Sequence, residues 1–504
     1  MLKAATAILC CLIINLAAAQ VFPGEGDVVN YRLVGFTVPH DVKAEKYVFE
    51  VSENKVSDKG ETLIENTIRQ VSDSHRIIIL LPHFDMGYVW RVSYLNEKGK
   101  IISKTADYHF RTGKYPSVDS NKYRLKIIDS ATHHDDLYVI LDFLSVIYDL
   151  KGNPVWYLPD IQLVADRDLQ MRDIKPTKDH TFTALSNFNA FEFDYNGKML
   201  WTAPNDGRLN KDTAEFYHHE FTKLDNGNYM GATLEHRMMK VPPWITITEK
   251  QKTTGFVEKH DDGYYYRRVT LGNLVEYTKD KKLVWYWKST DHFNDTDYFR
   301  TKIIHGINTD MHLNAFDFDE KNKVIYMSFR NVNEVVKIDY PSGNILKRYG
   351  AIWINDSTKD KKRLFYGQHC VRKEDDGLLY MFNNNTNPAS TKQGEELKKP
   401  ISRVSVFEET DNRTGVKPVW EFPCNLDTFA ETHTGVGGSV YRLDDKCLLV
   451  SMGAAARIFI VSHGKEKVWN VVAQVSDNGK DWNPMAIYRA NFITRKELEK
   501  FIFK

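Results

Sequence analysis

The sequence has no surplus of charge of either sign. Its 68 basic and 67 acidic residues leave 68 − 67 = +1 over 504 residues, which gives no electrostatic reason to expect nucleic acid or an anionic membrane as partner. Cysteine is scarce: there are five, and Cys10 and Cys11 lie in an apolar leader. The other three, Cys370, Cys424 and Cys447, permit at most one internal disulfide, and their spacing does not choose the pair. No His-x-x-x-His helix pair and no cysteine cluster is present, so the common zinc arrangements are missing. Beyond the leader no run is long and apolar enough for a helical membrane span.

What is present is ordinary for a folded chain: 42% hydrophobic and 27% charged residues, which argues against disorder. Aromatics reach 12%, with 26 Tyr and 27 Phe, a bias that suits strands. At the amino terminus Lys3 precedes an apolar stretch from Ala4 to Leu16, and Ala17-Ala18-Ala19 stands before Gln20. A basic residue, an apolar segment and small residues at a cleavage point read as a signal peptide over residues 1–19. The mature chain is therefore expected to be soluble and either periplasmic or secreted. Sequons at Asn294, Asn355, Asn384 and Asn412 matter only if the source is eukaryotic.

From residue 20 to 114 the pattern is short alternating runs: Lys46–Val51, Arg76–Pro82, Tyr88–Val92 and Tyr108–Thr112. Such runs, separated by polar turns in under 100 residues, predict a small β-sandwich. From 115 to 504 the chain repeats. One unit is a strand, a polar turn and a second strand bearing Trp. It appears at Trp156, Trp201, Trp285, Trp420 and Trp469, with Leu346 in the Trp position of a sixth copy. Six hairpins predict an all-β fold, a six-bladed β-propeller preceded by the sandwich; radial repetition leaves few bare sheet edges. The tail from Asn478 to Lys504 reads as helical near Arg495–Phe503 and is expected to pack on the outside. Residues 236–264, with Pro242-Pro243-Trp244, and 291–309, with His292 and His305, read as loops walling a binding site.

A second repeat carries histidines. His219 lies eight residues ahead of Gly227, and His369 eight ahead of Gly377; His312 heads a third copy that leads to Arg330. A fourth copy has Gly438 in place of histidine, shortly after His433-Thr434. In a propeller the first strand of each blade lines the central channel, so these histidines are expected to converge although 150 residues separate the first from the last. Converging imidazoles suit zinc, copper or iron, but a cation beside Arg330 would be repelled. The other reading is an anion site with a nucleophile. Arg330 offers a planar fork to a tetrahedral oxyanion, Asn314 and Thr434 can donate hydrogen bonds, and one histidine attacks while the others serve the leaving oxygen.

The strings YHHEFTKLDNGNYM, DMHLNAFDFDEKNKVIYMSFRNVNEVVKID and YGQHCVRKEDDGLLYMFNNN, with the ISRV that follows, resemble the bacterial arylsulfotransferases. The resemblance covers residue 115 to the end in sequence and the sandwich in architecture. It implies an exported six-bladed propeller that moves sulfuryl groups from aryl sulfates to phenols without a nucleotide donor, by a ping-pong route and with no cofactor. His369, in Gly367-Gln368-His369, is similar to the family's nucleophile, which becomes transiently sulfated. His312, Asn314 and Arg330 match residues holding the sulfuryl and phenolic oxygens, and His219 matches the remaining active-site histidine, with His218 as the alternative. Thr434 stands near the family's threonine. Cys370, directly after His369, departs from the expected small or acidic residue. The implied partners are an aryl sulfate donor and a phenol acceptor. The sandwich is where two copies could pair, though no hydrophobic stripe argues for a homodimer. The alternatives are an aryl sulfate or phosphate hydrolase on the same site and a non-catalytic binding propeller.

Overall fold

The computed structural model describes residues 21–503 except for 57–61, 132, 160–170, 187–188, 208, 210–214, 300–308, 351–363, 387–399 and 412–414. The leader 1–19, the sequons at Asn355 and Asn412, and His305 lie outside the described residues. The chain divides into two compact units, residues 1–114 and 115–504. No helix among the described residues is long and apolar enough to cross a membrane.

In the first unit, five strands pair in the order Asp27–Val29, Tyr108–Thr112, Gly87–Leu95, Lys46–Val56 and Thr62–Ser72, with Ile101–Lys104 added to Gly87–Leu95. A two-stranded sheet, Leu33–Thr37 with Arg76–Leu80, covers it. Phe36 stands edge-on to Trp90 at 5.0 Å and to Phe110 at 5.7 Å. The alternation in the sequence is thereby explained: one side of each strand feeds these rings to the core.

The second unit is nearly all β, built from several antiparallel sheets of which none closes on itself. Sheet 1 runs Ala490–Thr494, Leu137–Leu141, Val146–Asp149, Pro154–Tyr157. Sheet 2 is Arg172–Pro176, Phe182–Ser186, Asn189–Phe193, Met199–Thr202. Sheet 3 is Tyr217–Lys223, Tyr229–Lys240, Tyr265–Tyr277, Leu283–Trp287, with Glu258–Lys259 and Thr309–Asp310 added to Tyr265–Tyr277. Sheet 4 is Leu313–Asp319, Val324–Phe329, Glu334–Asp339, Ile345–Tyr349. Sheet 5 is His369–Lys373, Leu379–Asn383, Arg403–Glu409, Val416–Pro423. Sheet 6 is Ser439–Arg442, Cys447–Ser451, Arg457–Ser462, Lys467–Val475, extended by Tyr123–Asp129 and Asn483–Pro484. The second strands Leu137–Leu141, Phe182–Ser186, Leu379–Asn383 and Cys447–Ser451 are buried at every residue, as continuous apolar runs are when both faces of a sheet are covered.

The first strand of each sheet lies against the first strand of the next, and that of sheet 6 against that of sheet 1. The repeated tryptophans have a matching job. Trp156 of sheet 1 donates its indole N–H to the carbonyl of Tyr195 in sheet 2's hairpin, at 2.7 Å. Trp201 does so to Lys279 of sheet 3 (2.9 Å) and Trp285 to Pro341 of sheet 4 (2.7 Å). Trp420 reaches His463 of sheet 6 (2.8 Å), and Trp469 of sheet 6 reaches Leu150 of sheet 1 (2.9 Å). Where Leu346 replaces Trp, neighbouring Lys347 donates through Nζ to the Thr410 carbonyl of sheet 5 instead.

Two expectations are corrected. The tail does form a helix, Arg495–Ile502, with Leu498 and Phe501 buried. The residues before it, however, do not pack outside: Ala490–Thr494 is the first strand of sheet 1, paired along Leu137–Leu141, because that sheet lacks a first strand of its own. The stretch 236–264 is also less of a loop than expected. Strands Tyr229–Lys240 and Tyr265–Tyr277 stay paired to Lys240↔Tyr266 as a long hairpin with a short helix, Glu249–Thr253, at its end.

At the centre the first strands share a buried ionic cluster. Glu220 is held by Arg372 (Nη2, 3.0 Å to each oxygen), by Arg489 (Nη1, 2.6 Å) and by Lys175. Asp173 pairs with Arg489 at 2.7 Å and Lys175 at 2.9 Å. Burial alone would raise the Glu220 carboxyl, but these cations drive it well below the usual carboxylate range. Removing one partner strands the others, which typically costs about 3–5 kcal/mol. Glu220→Leu is therefore expected to lower the unfolding free energy measured in urea by that order at pH 7, and the midpoint with it. Asp225→Asn, which breaks only an exposed pair with Lys178, should leave the midpoint nearly unchanged.

Candidate active site

The first strands of sheets 2, 3 and 5 each carry a bulge, between Arg172 and Lys175, Tyr217 and Phe221, and His369 and Arg372. The left-handed residue there is Asp173 (φ 55°), His219 (61°) and Cys370 (53°), and His312 at the start of sheet 4 also has φ 61°. Such conformations cost an L-residue free energy, and bulges re-aim side chains beside functional sites. The register expected for the three histidines is thus not uniform. His219 and His312 are themselves left-handed, whereas in sheet 5 the following Cys370 takes that role.

The structure brings the named residues together. The rings of His219 and His312 are 4.7 Å apart, edge to face. Tyr488 lies 5.6 Å from His219 and 6.4 Å from His369, linking the two. His218 is the deeper of the adjacent pair: it is buried, and its Nδ1 meets Nδ1 of His219 at 2.5 Å. One of these nitrogens carries the proton and the other the lone pair, so the tautomers of the pair are coupled. His219 is the member that faces His312.

The proton state of each imidazole follows from its partners. Nδ1 of His369 faces two oxygens, Gly367 O at 3.0 Å and Asn384 Oδ1 at 2.7 Å. Burial first, then Arg330 and His312, push its pKa well below the ordinary histidine value. Burial, then His312, His218 and His369, do the same to His219. Burial pushes His218 down to about 3. His312 has a carboxylate for its partner. Asp310 Oδ2 lies 3.0 Å from His312 Nδ1, and Oδ1 accepts the His312 backbone N–H at 2.7 Å. Burial opposes ionisation of Asp310, but the His312 charge and hydrogen bonds hold its carboxyl below the usual range.

Arg330 sits one residue past its strand, half-buried, with Nη1 donating to Asn331 Oδ1 and Nη2 to Gly435 O, each at 2.7 Å. Two of five guanidinium hydrogens are thus committed. Asn314 and Thr434 stand behind the imidazoles. Fully buried Asn314 donates to Gln368 O at 2.7 Å, which fixes the residue before His369, and accepts nothing through Oδ1. The Thr434 hydroxyl donates to Val436 O at 2.8 Å, while its carbonyl accepts from Asn384 Nδ2 at 2.9 Å. His292 lies away from this group, stacked flat on Trp287 at 4.7 Å. Cys370, Cys424 and Cys447 are all buried and unpaired.

Sequence reasoning missed Asp310, Asn384 and Tyr488. Asp310 stands two residues before His312, the one available clue. Asn384 heads a sequon, but its side chain is buried against His369; the Asn294 sequon is exposed. Tyr488 belongs to the tail. Among the described residues no group of three or more His, Cys, Asp or Glu is arranged to hold a metal ion.

A family model described as arylsulfotransferase (ASST) matches residues 124–481. No curated protein matches the chain. Among solved structures, a protein of unknown function from Bacteroides caccae is 10% identical, with TM-score 0.39, over 74% of this chain and 99% of that one. A functionally unknown protein from Desulfotomaculum acetoxidans is 12% identical, with TM-score 0.35, over 79% and 96%. Hydrazine synthase from Kuenenia stuttgartiensis is 9% identical, with TM-score 0.35, over 81% and 92%. These three likenesses are too distant to carry an argument.

The depressed imidazoles make stability depend on pH. A histidine neutral in the fold but protonated in the unfolded chain contributes fully above about pH 6.5 and loses its contribution as pH falls below, by roughly 1.4 kcal/mol per unit. His218, His219 and His369 all act in this direction. The unfolding free energy, measured in urea, should therefore drop between pH 7 and pH 5. His219→Asn, a residue that tolerates the left-handed backbone, should make that slope shallower.

Proposed function

This chain belongs to the arylsulfotransferase family, and from that premise we propose that it moves a sulfuryl group from a phenolic sulfate ester to a phenol through a covalent intermediate on His369. Sulfotransfer between small aryl substrates is the activity of the family. The observation that carries the finer reading is the difference between the imidazoles: His369 meets only neutral acceptors at Nδ1, whereas His312 meets the Asp310 carboxylate.

In the first half-reaction Nε2 of His369 attacks sulfur. The N–S bond forms as the S–O bond to the donor breaks, and the electron pair leaves on the phenolic oxygen. That oxygen takes a proton from His312, which Asp310 orients through Nδ1, with His219 beside it as a hydrogen-bond donor. Arg330 meets charge on the sulfuryl oxygens, a contribution that typically outweighs the others. In the second half a phenol gives its proton back to His312, attacks sulfur, and returns the electron pair to Nε2. Asn314 and Thr434 serve this scheme as supports of the His369 strand and of Asn384. No step needs a metal or a cofactor.

The same reading includes the architecture and the compartment. The six sheets, each built on four consecutive paired strands, are the blades of one propeller; what supports this is the run of neighbouring first strands from sheet 1 to sheet 6 and back, together with the tryptophan–carbonyl bonds from one sheet's outer strand to the next sheet's outer turn. Export through the leader, with cleavage before Gln20, completes it. The mature amino terminus from an exporting host, read by mass spectrometry, tests that part; an unprocessed Met1 would refute it.

Incubation with 4-nitrophenyl sulfate and an acceptor phenol tests the chemistry. The wild type should release nitrophenol and form the new aryl sulfate, with release in the absence of acceptor limited to about one equivalent per site. His369→Asn should abolish both. Arg330→Gln should lower the rate by on the order of 10²–10³, the usual cost of an oxyanion donor. Undiminished turnover in His369→Asn would end the proposal, and release independent of acceptor would mark a hydrolase.

A further inference from the structure

We infer that Asn384 is a positioning residue for the nucleophile: its side-chain carbonyl, with that of Gly367, takes the Nδ1 proton of His369 and leaves the Nε2 lone pair for the substrate. The inference rests on the function proposed above and adds a residue to it.

The argument is one of donors and acceptors. Gly367 O can only accept, and so can the Asn384 oxygen, so a nitrogen 3.0 and 2.7 Å from them must bear hydrogen. The Asn384 amide cannot be turned the other way. Both hydrogens of its Nδ2 are given to carbonyls, Thr434 O and Gly437 O, each at 2.9 Å, and a flip would set oxygen against oxygen. Its own backbone carbonyl accepts from Ser402 Oγ at 3.1 Å, and the same hydroxyl accepts the Thr434 N–H at 3.0 Å. Asn384 is fully buried, so water does not compete.

The surroundings explain why an amide, rather than a carboxylate, stands there. The charged and titratable groups facing His369 are Arg330, Arg489, His312 and His219, with the Tyr488 ring alongside. All of these oppose or ignore a positive charge on the ring. Sulfuryl transfer nevertheless puts one there, because Nε2 gains the N–S bond while Nδ1 keeps its proton. A carboxylate at Nδ1 would stabilise that cation and make the group harder to pass on. A neutral oxygen fixes the tautomer and leaves the intermediate reactive. Asp310, two residues before His312, supplies the contrasting case within the same site.

The direct test uses the full-length chain with ¹⁵N-labelled histidine. Long-range proton–nitrogen spectra distinguish the tautomers, and His369 is assigned by its loss in His369→Asn. The expected result is a protonated Nδ1 and an unprotonated Nε2 from about pH 8 down to about pH 5.5, across the ordinary histidine range. An Nε2–H tautomer, or an imidazolium in that interval, overturns the inference. Asn384→Asp, in protein that keeps the wild-type melting profile, should retain the nitrophenol burst. It should slow transfer to phenol by about tenfold or more and move the acidic limb of the rate upward; both steps and the pH profile unchanged would also overturn it. Should that variant not fold, the spectra of the wild type decide alone. Because they need no substrate, they separate this inference from the sulfotransfer reading, which instead falls if the wild type releases no nitrophenol.

Discussion

The pairing of Glu220 with Arg489, Arg372 and Lys175 is the constraint on which the rest of the second unit depends. Burying Glu220, Asp173, Arg372 and Arg489, with Lys175 at their edge, would be prohibitive if any stood alone. Here each charge has its counterpart on a different sheet, so satisfying the set requires the first strands of sheets 2, 3 and 5 and the entry to sheet 1 to stand in one arrangement. The cluster also reaches the pocket through covalent neighbours. Glu220 follows His219 and Arg489 follows Tyr488, so each strand sends one side chain to the imidazoles and the next into the ions. Arg489 continues the connection by donating to Asn314 O at 2.7 Å, and Asn314 in turn fixes Gln368, beside His369. His369 is therefore held by a chain of bonds that begins at a carboxylate in another sheet.

Within the pocket, similar rings are made to do different work by what touches one nitrogen. His369 meets an amide and a peptide carbonyl, His312 a carboxylate, His219 another imidazole. The division needs little sequence: an Asn in place of an Asp, two residues before or fifteen after the ring it serves. The backbone contributes as well. Holding His219 and His312 left-handed stores strain that the paired strands on either side offset, a trade found where a side chain must point somewhere the regular pleat would not send it.

Much of this is legible in the sequence. The Trp-bearing hairpins at Trp156, Trp201, Trp285, Trp420 and Trp469 are local patterns, and the outer two strands of the sheets fall where they were read. His219, His312 and His369 stand out by recurring ahead of the same kind of turn, Arg330 follows from the third copy, and the structure sets these side chains beside one another. What stayed hidden is whatever depends on distant segments meeting. Ala490–Thr494 looks like a spare strand until sheet 1 is seen to lack one, and only then do Tyr488 and Arg489 become central. Asp310 and Asn384 are short polar residues in stretches full of them, and nothing in their spacing separates a ring partner from a turn residue. For Asn314 and Thr434 the location was readable but the bond direction was not: both orient backbone near the pocket.

The Asn384-Asn385-Thr386 triplet gives the burial of Asn384 a practical meaning. In a secretory route that attaches sugar to nascent polypeptide, the modifying enzyme meets this triplet while the chain is still extended. A carbohydrate on that amide would replace one of the hydrogens that Thr434 and Gly437 accept, and it has no volume to occupy between them. Such a host would yield protein blocked before the interior around Asn384 could pack, whereas a bacterial exporter without that chemistry leaves the amide bare. The choice of cell for producing this protein is thus set by one side chain in its interior.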